Sequence, residues 1–166
     1  MEEKMIKIYQ IDSARELEAA IHVDDIITLG ETQNAYCKIN ICGDYVIGVK
    51  YCNYGINIDY KLFCNESLLY IGIGMYLLCI DVNQKTILFI KELQSVFYEI
   101  IADNSHNYLC IMCELNIYCY TKVKEVWKIG LSDILNDFNI VDENILSVMC
   151  ENGDELKISI SDGKIL

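Results

Sequence analysis

Two hydrophobic periods divide the chain. Near the start, Ser13-Ala14-Arg15-Glu16 has the form of a capping box, in which the Ser13 hydroxyl accepts from the Glu16 amide and Glu16 reaches back. Ala14, Leu17 and Ile21 follow at i, i+3 and i+7 and make one apolar stripe. This predicts a short helix over 13–21, ending before Asp24-Asp25. Beyond it the period becomes two. From Leu109 to Tyr120 the odd positions are Leu, Ile, Cys, Leu, Ile and Cys, while the even positions mix polar and apolar residues. Strands with one well-buried face read this way. Glu155 to Ile160 alternates more strictly. Asn152-Gly153, Asp162-Gly163 and Gly43-Asp44 supply the positive φ of tight hairpins between the runs.

The runs recur. Tyr70 to Gly74, Leu77 to Asp81, Ile87 to Ile90 and Leu93 are echoed about 40 residues later by Cys110 to Glu114, Ile117 to Tyr120, Val126 to Ile129 and Leu131. Ser147 to Glu151, Leu156 to Ile160 and Lys164 to Leu166 open a third copy. Another apolar run separates the copies, Val96 to Ala102 and then Phe138 to Val141. Each unit therefore comprises four short strands. The expected core holds Ile71, Ile73, Leu78, Ile80, Ile111, Cys113, Ile117, Cys119, Ile129, Val148, Ile158 and Ile160.

Over about residues 57–166 these units resemble the blades of β-propeller repeats, of the quinoprotein-like and WD-repeat-like kind. The likeness is closest at Lys124-Glu125-Val126-Trp127-Lys128-Ile129-Gly130-Leu131, a strand carrying Trp followed by Leu. The chain departs from the pattern where Val123-Lys124-Glu125 lacks the usual turn glycine. It also holds about four units at most, near the lower limit for a closed propeller. The same hairpins suit an incomplete arc or a sandwich. The expected fold is all-β, an antiparallel meander of propeller-blade-like four-stranded units with one short N-terminal helix. It is expected to form a single domain over 1–166.

Composition narrows the function. Thirteen basic and 25 acidic residues give a formal charge of −12 and a pI near 4.4, so bare nucleic acid would be repelled. The apolar fraction of 53% is enough for a sizeable core and too high for a disordered chain. The opening Met1-Glu2-Glu3-Lys4 is unlike a signal peptide. The longest uncharged stretch, Ser67 to Ile80, is 14 residues, short of the ~18–20 a membrane helix needs. Nine cysteines, an odd number lying mostly in apolar runs, read as reduced core thiols in a cytoplasmic protein. The absence of proline, a single arginine and abundant Ile, Asn, Lys and Tyr are the bias of AT-rich coding, as in a low-GC bacterium.

Candidate chemistry is sparse. Cys110 and Cys113 form a C-x-x-C, but on a strand i and i+3 face opposite ways, so core packing is the expectation rather than a metal or redox pair. His22 invites pairing with Cys37 as a nucleophile, or with Asp24 and Asp25 around a cation; a solvated helix end is the simpler reading. His106 falls in a polar loop. Gly72-Ile73-Gly74 lacks the third glycine and the helix of a dinucleotide fingerprint, and is read as a strand bend or bulge. No catalytic residue, metal ligand or cofactor is assigned.

Charge placement carries the remaining signal. Residues 130–166 hold eight acids and two bases. Asp133, Asp137, Asp142 and Glu143 are expected on the connection after the Trp127 strand, because Ser132 to Asn139 is polar and breaks the period. Glu151, Asp154 and Glu155 flank the Asn152-Gly153 turn. These seven are the candidate partner-binding residues, either a solubilising surface or a docking face for a basic partner. The expected function is non-catalytic binding of another protein. Its specific form is a bacterial immunity protein that neutralises a toxin by covering it. The alternatives are an interaction scaffold of propeller-like blades unrelated to toxins, or an enzyme with an unrecognised site. Neither nucleic acid nor membrane is an expected partner.

Overall fold

The computed structural model describes residues 5–166; the charged opening Met1 to Lys4 lies outside them. Strands make up 56% of the described residues and helix 6%, which places the chain among all-β folds. The first sheet holds β1 (Ile6–Ile11), β2 (Ile26–Thr28), β3 (Ala35–Ile41) and β4 (Tyr45–Tyr51) in the order β1-β3-β4-β2. Three antiparallel meanders follow. The second sheet is β5 (Asp59–Phe63), β6 (Leu68–Ile73), β7 (Tyr76–Asp81) and β8 (Thr86–Glu92). The third is β9 (Phe97–Ala102), β10 (Leu109–Cys113), β11 (Asn116–Thr121) and β12 (Lys124–Gly130). The fourth is β13 (Leu135–Asp142), β14 (Ile145–Cys150) and β15 (Glu155–Ser159). Its expected last strand, Lys164 to Leu166, shrinks to one bridge between Ile158 and Ile165.

The first sheet breaks the meander. Helix α1 (Ala14–Ala20) carries the chain from β1 across to β2, which runs parallel to β4. As the capping box requires, the Ser13 hydroxyl accepts from the Glu16 amide at 3.2 Å. Leu17 is fully buried. It approaches Gly48 together with Ile21 and Ile26; a Cβ on Gly48 would lie 3.1–3.2 Å from all three side chains. Gly48 sits on the face of β4 opposite Ile47 and Val49, so the helix covers the outer face of the first sheet.

The sheets stack in chain order with one apolar core at each junction. Ile39, Ile47 and Val49 meet Leu69, Ile71 and Leu78 in the first core. Tyr70, Leu77 and Cys79 meet Ile100, Ile111 and Tyr118 in the second. Cys110, Met112, Ile117 and Cys119 meet Leu146, Val148 and Ile158 in the third. Among the described residues no buried cluster joins the fourth sheet back to the first. The expected core residues are all buried except Ile129, which is half-buried because β12 is an edge strand with a neighbour on one side only.

The repeat is exact enough to share hydrogen bonds. Phe97 and Leu135 donate their amides to Gly74 and Glu114 at 2.9 and 2.8 Å. Leu93 and Leu131 donate to Met75 and Leu115 at 2.8 and 2.9 Å. The same register shift interrupts β7–β8 at Cys79/Ile80 and β11–β12 at Cys119/Tyr120. At the fourth sheet the pattern turns polar. Ser147, Glu155 and Lys157 occupy the register of Cys110, Ile117 and Cys119, so its outer face tolerates water.

Gly72-Ile73-Gly74 contains no bulge. Gly72 is regular strand lying under the Phe97 ring, and Gly74 (φ +60°) begins the β6–β7 turn. The turn that lacks glycine is made by Lys122, which adopts φ 53° itself.

Candidate partner-binding surface

The chain enters β13 at one end of the fourth sheet and turns at the other, and this divides the seven acidic residues. Asp133 lies in the approach to β13, and Glu151 and Asp154 lie in the β14–β15 turn beside it. The Glu151 amide donates to the Ile134 carbonyl at 2.8 Å, and the Ser132 hydroxyl donates to the Asp154 carboxylate at 2.6 Å. Glu155 follows directly. That hydroxyl, and then the Asn152 amide, lower the Asp154 carboxyl below its ordinary value. Glu114 and Glu151 both approach Tyr98 at this end; its phenol is raised by burial first and by these two charges second.

Asp142 and Glu143 are at the opposite end, in the β13–β14 hairpin. The expectation that Asp133, Asp137, Asp142 and Glu143 share one connection is therefore corrected. Only Asp133 is in the connection, and β13 runs from Leu135 to Asp142 with Asp137 within it. The period failed over the first part of β13, ahead of the expected run Phe138 to Val141, because an edge strand can leave polar residues such as Asn136 and Asp137 facing water. None of the seven takes part in a side-chain ion pair among the described residues.

Asp137 belongs to a further feature. The first strands β5, β9 and β13 lie along one side of the stack and line a groove of about 750 Å³, with Lys61, Glu99, Ile101, Asp137, Phe138 and Ile140 among its walls. Asp59 pairs opposite Gly72, Glu99 opposite Met112 and Asp137 opposite Met149, so one register position is acidic in three successive sheets. The Asp59 carboxylate accepts the Ile100 amide of the next sheet at 2.8 Å. Sequence reasoning missed Asp59 and Glu99; their spacing of 40 residues, the repeat length, was the available signal.

The other candidates resolve into structure. Cys110 faces the third core and Cys113 the second. Burial pushes the thiols of Cys37, Cys79 and Cys113 up to about 12. Cys37 is fully buried, whereas His22 is largely exposed and accepts the Asp24 amide at 3.4 Å, so the two form no pair. The His106 loop is organised by buried Asp103, whose carboxylate accepts the amides of Asn107 and Tyr108 at 2.8 and 2.7 Å. Among the described residues no group of three or more His, Cys, Asp and Glu side chains comes together to hold a metal. No helix there is long and apolar enough to cross a membrane.

Stacked four-stranded sheets joined by repeated short connections define the class: this chain resembles β-propeller blades of the WD-repeat kind. It is similar to the RRP9 WD40 repeats, at 9% identity and TM-score 0.53 over 69% of this chain and 38% of that one. It is similar also to Kuenenia stuttgartiensis hydrazine synthase, at 14% identity and TM-score 0.54 over 86% of this chain and 47% of that one. Saccharomyces cerevisiae Sqt1 matches at 13% identity and TM-score 0.56, over 81% and 42%. This chain spans less than half the length of each of the three. At these identities the likeness defines the fold alone. No protein-family model matches the sequence, and no curated protein does.

Proposed function

We propose that this chain is a single-domain, non-catalytic protein-binding module, in its specific form a cytoplasmic bacterial immunity protein that covers a basic toxin surface. The observation that carries the reading is the set of carboxylates at the fourth sheet, of which Asp133, Glu151, Asp154 and Glu155 gather at one end without an ion-pair partner. Such a face steers a cationic partner during encounter. The blade fold supports the coarser part of the reading, since repeated sheets present turns side by side along one edge. An interaction scaffold without a toxin partner is the second reading, favoured by the likeness to the WD40 repeats.

Capture of the partner from the native host comes first, followed by association kinetics. Changing Asp133, Glu151, Asp154 and Glu155 to their amides is expected to slow association and flatten its salt dependence while leaving the melting temperature nearly unchanged. Exposed charges of this kind are worth roughly 0.2–1 kcal/mol per pair. The Asp142→Asn/Glu143→Gln protein, altered at the far end, serves as the comparison. Equal rates and salt slopes for all three proteins would reduce the acidic face to a solubilising surface. Neutralisation of a toxic activity by the partner complex separates the immunity reading from the scaffold.

A further inference from the structure

We propose that the groove between β9 and β13 holds an extended segment of a protein partner, one that alternates Lys or Arg with aliphatic residues. The proposal rests on the protein-binding reading and gives it a location away from the acidic turns. Both walls are edge strands: β9 is paired only with β10, and β13 only with β14. The Ile100 amide of β9 is already held by Asp59 and the Phe138 amide of β13 by Asp137, so the groove reads an extended chain mainly through side chains.

The repeat shows what the groove acids do. Asp59, at the position that Glu99 and Asp137 occupy in the next two sheets, holds a backbone amide of the neighbouring inner strand. Glu99 and Asp137 are exposed and have no ion-pair partner among the described residues. Asp137 Oδ1 accepts its neighbour Phe138's amide at 2.8 Å, which uses one oxygen of two. Three carboxylates line the groove with Lys61 and His106; buried Asp103 is spent on the amides of its own loop, and exposed Glu99 and Asp137, set against Lys61, favour a basic side chain. Half-buried Ile101, Phe138 and Ile140 give the aliphatic residues a surface to cover. A volume of about 750 Å³ falls in the usual range of ligand sites.

The test is an amide chemical-shift titration of the isotopically labelled full chain at low salt. The probes are three blocked nine-residue peptides: alternating Val and Lys, alternating Val and Glu, and alternating Gly and Lys. The Val/Lys peptide is expected to shift residues 99–102 and 137–140 saturably, the Val/Glu peptide not at all, and the Gly/Lys peptide at least tenfold more weakly. Glu99→Gln/Asp137→Asn, with its spectrum otherwise unchanged, is expected to weaken the Val/Lys peptide tenfold or more. Equal binding of the Gly/Lys peptide, absence of saturable shifts, or shifts confined to residues 151–155 would each overturn the proposal. The last result would leave the acidic turns, and with them the protein-binding reading, standing.

Discussion

Trp127 and Gly163 meet so closely that a Cβ on the glycine would lie 2.7 Å from the indole Cγ. Gly163 also adopts φ +72°, and the indole Nε1 donates to the Ile160 carbonyl at 2.6 Å. The one tryptophan thus pins the third sheet to the last turn of the fourth. Gly163→Ala should destabilise the fold by about 1–3 kcal/mol, combining overpacking with a strained backbone. Trp127→Phe, which gives up the hydrogen bond, should cost about 1–2 kcal/mol. In a Trp127→Ala background the added cost of Gly163→Ala should fall to the backbone part, near 1 kcal/mol. Urea unfolding of the four proteins measures this coupling, and additive costs would contradict the contact.

Gly72 should be equally intolerant. A Cβ there would fall 2.1 Å from Cζ of Phe97, whose ring is buried and has nowhere to go. Gly72→Ala should cost about 1–3 kcal/mol, read from the urea midpoint. A smaller side chain at Phe97 should recover part of that loss, which tests whether the ring is the cause.

Alkali should unfold the protein through its buried thiols. Cys37, Cys79 and Cys113 have an ordinary value of 9.0 and rise to about 12 when folded. Above pH 9 the unfolded chain releases these protons while the folded chain keeps them. Ionisation therefore favours the unfolded state, and the stabilisation present below pH 9 is lost as pH rises towards 12. By pH 10.5 the loss should be on the order of 1–2 kcal/mol for each thiol. Replacing Cys113 with Ala or Ser should make the melting temperature less sensitive to pH between 9 and 10.5, even where it lowers stability overall.

Thiol labelling should follow burial. Cys42, Cys52 and Cys64 are half-buried, and the other six cysteines are buried; all nine are free. A thiol reagent at pH 8 should modify the three first and reach the six only on unfolding. Reducing agent should leave the melting temperature unchanged. Several intact intrachain bridges in a non-reducing mass measurement would refute this reading.

Much of the architecture was written locally. The capping box and stripe specified α1 to within a residue, because a helix start is set by hydrogen bonds across three positions. Apolar runs specified β6, β7, β10, β11, β14 and β15, because buried strands need an apolar face, and Asn152-Gly153 specified the β14–β15 turn through the positive φ of its glycine. The 40-residue recurrence specified the blades. Tertiary structure decided the rest. It extended the expected run Phe138 to Val141 back to Leu135 as β13, since an edge strand has one neighbour and its polar residues need no burial. It sent β2 across to pair in parallel with β4, a choice made by packing α1 on Gly48 and by nothing in the local pattern. It also divided the acidic residues between two ends and aligned Asp59, Glu99 and Asp137, because sequence lists charges in order while stacking of the sheets sets which of them stand together.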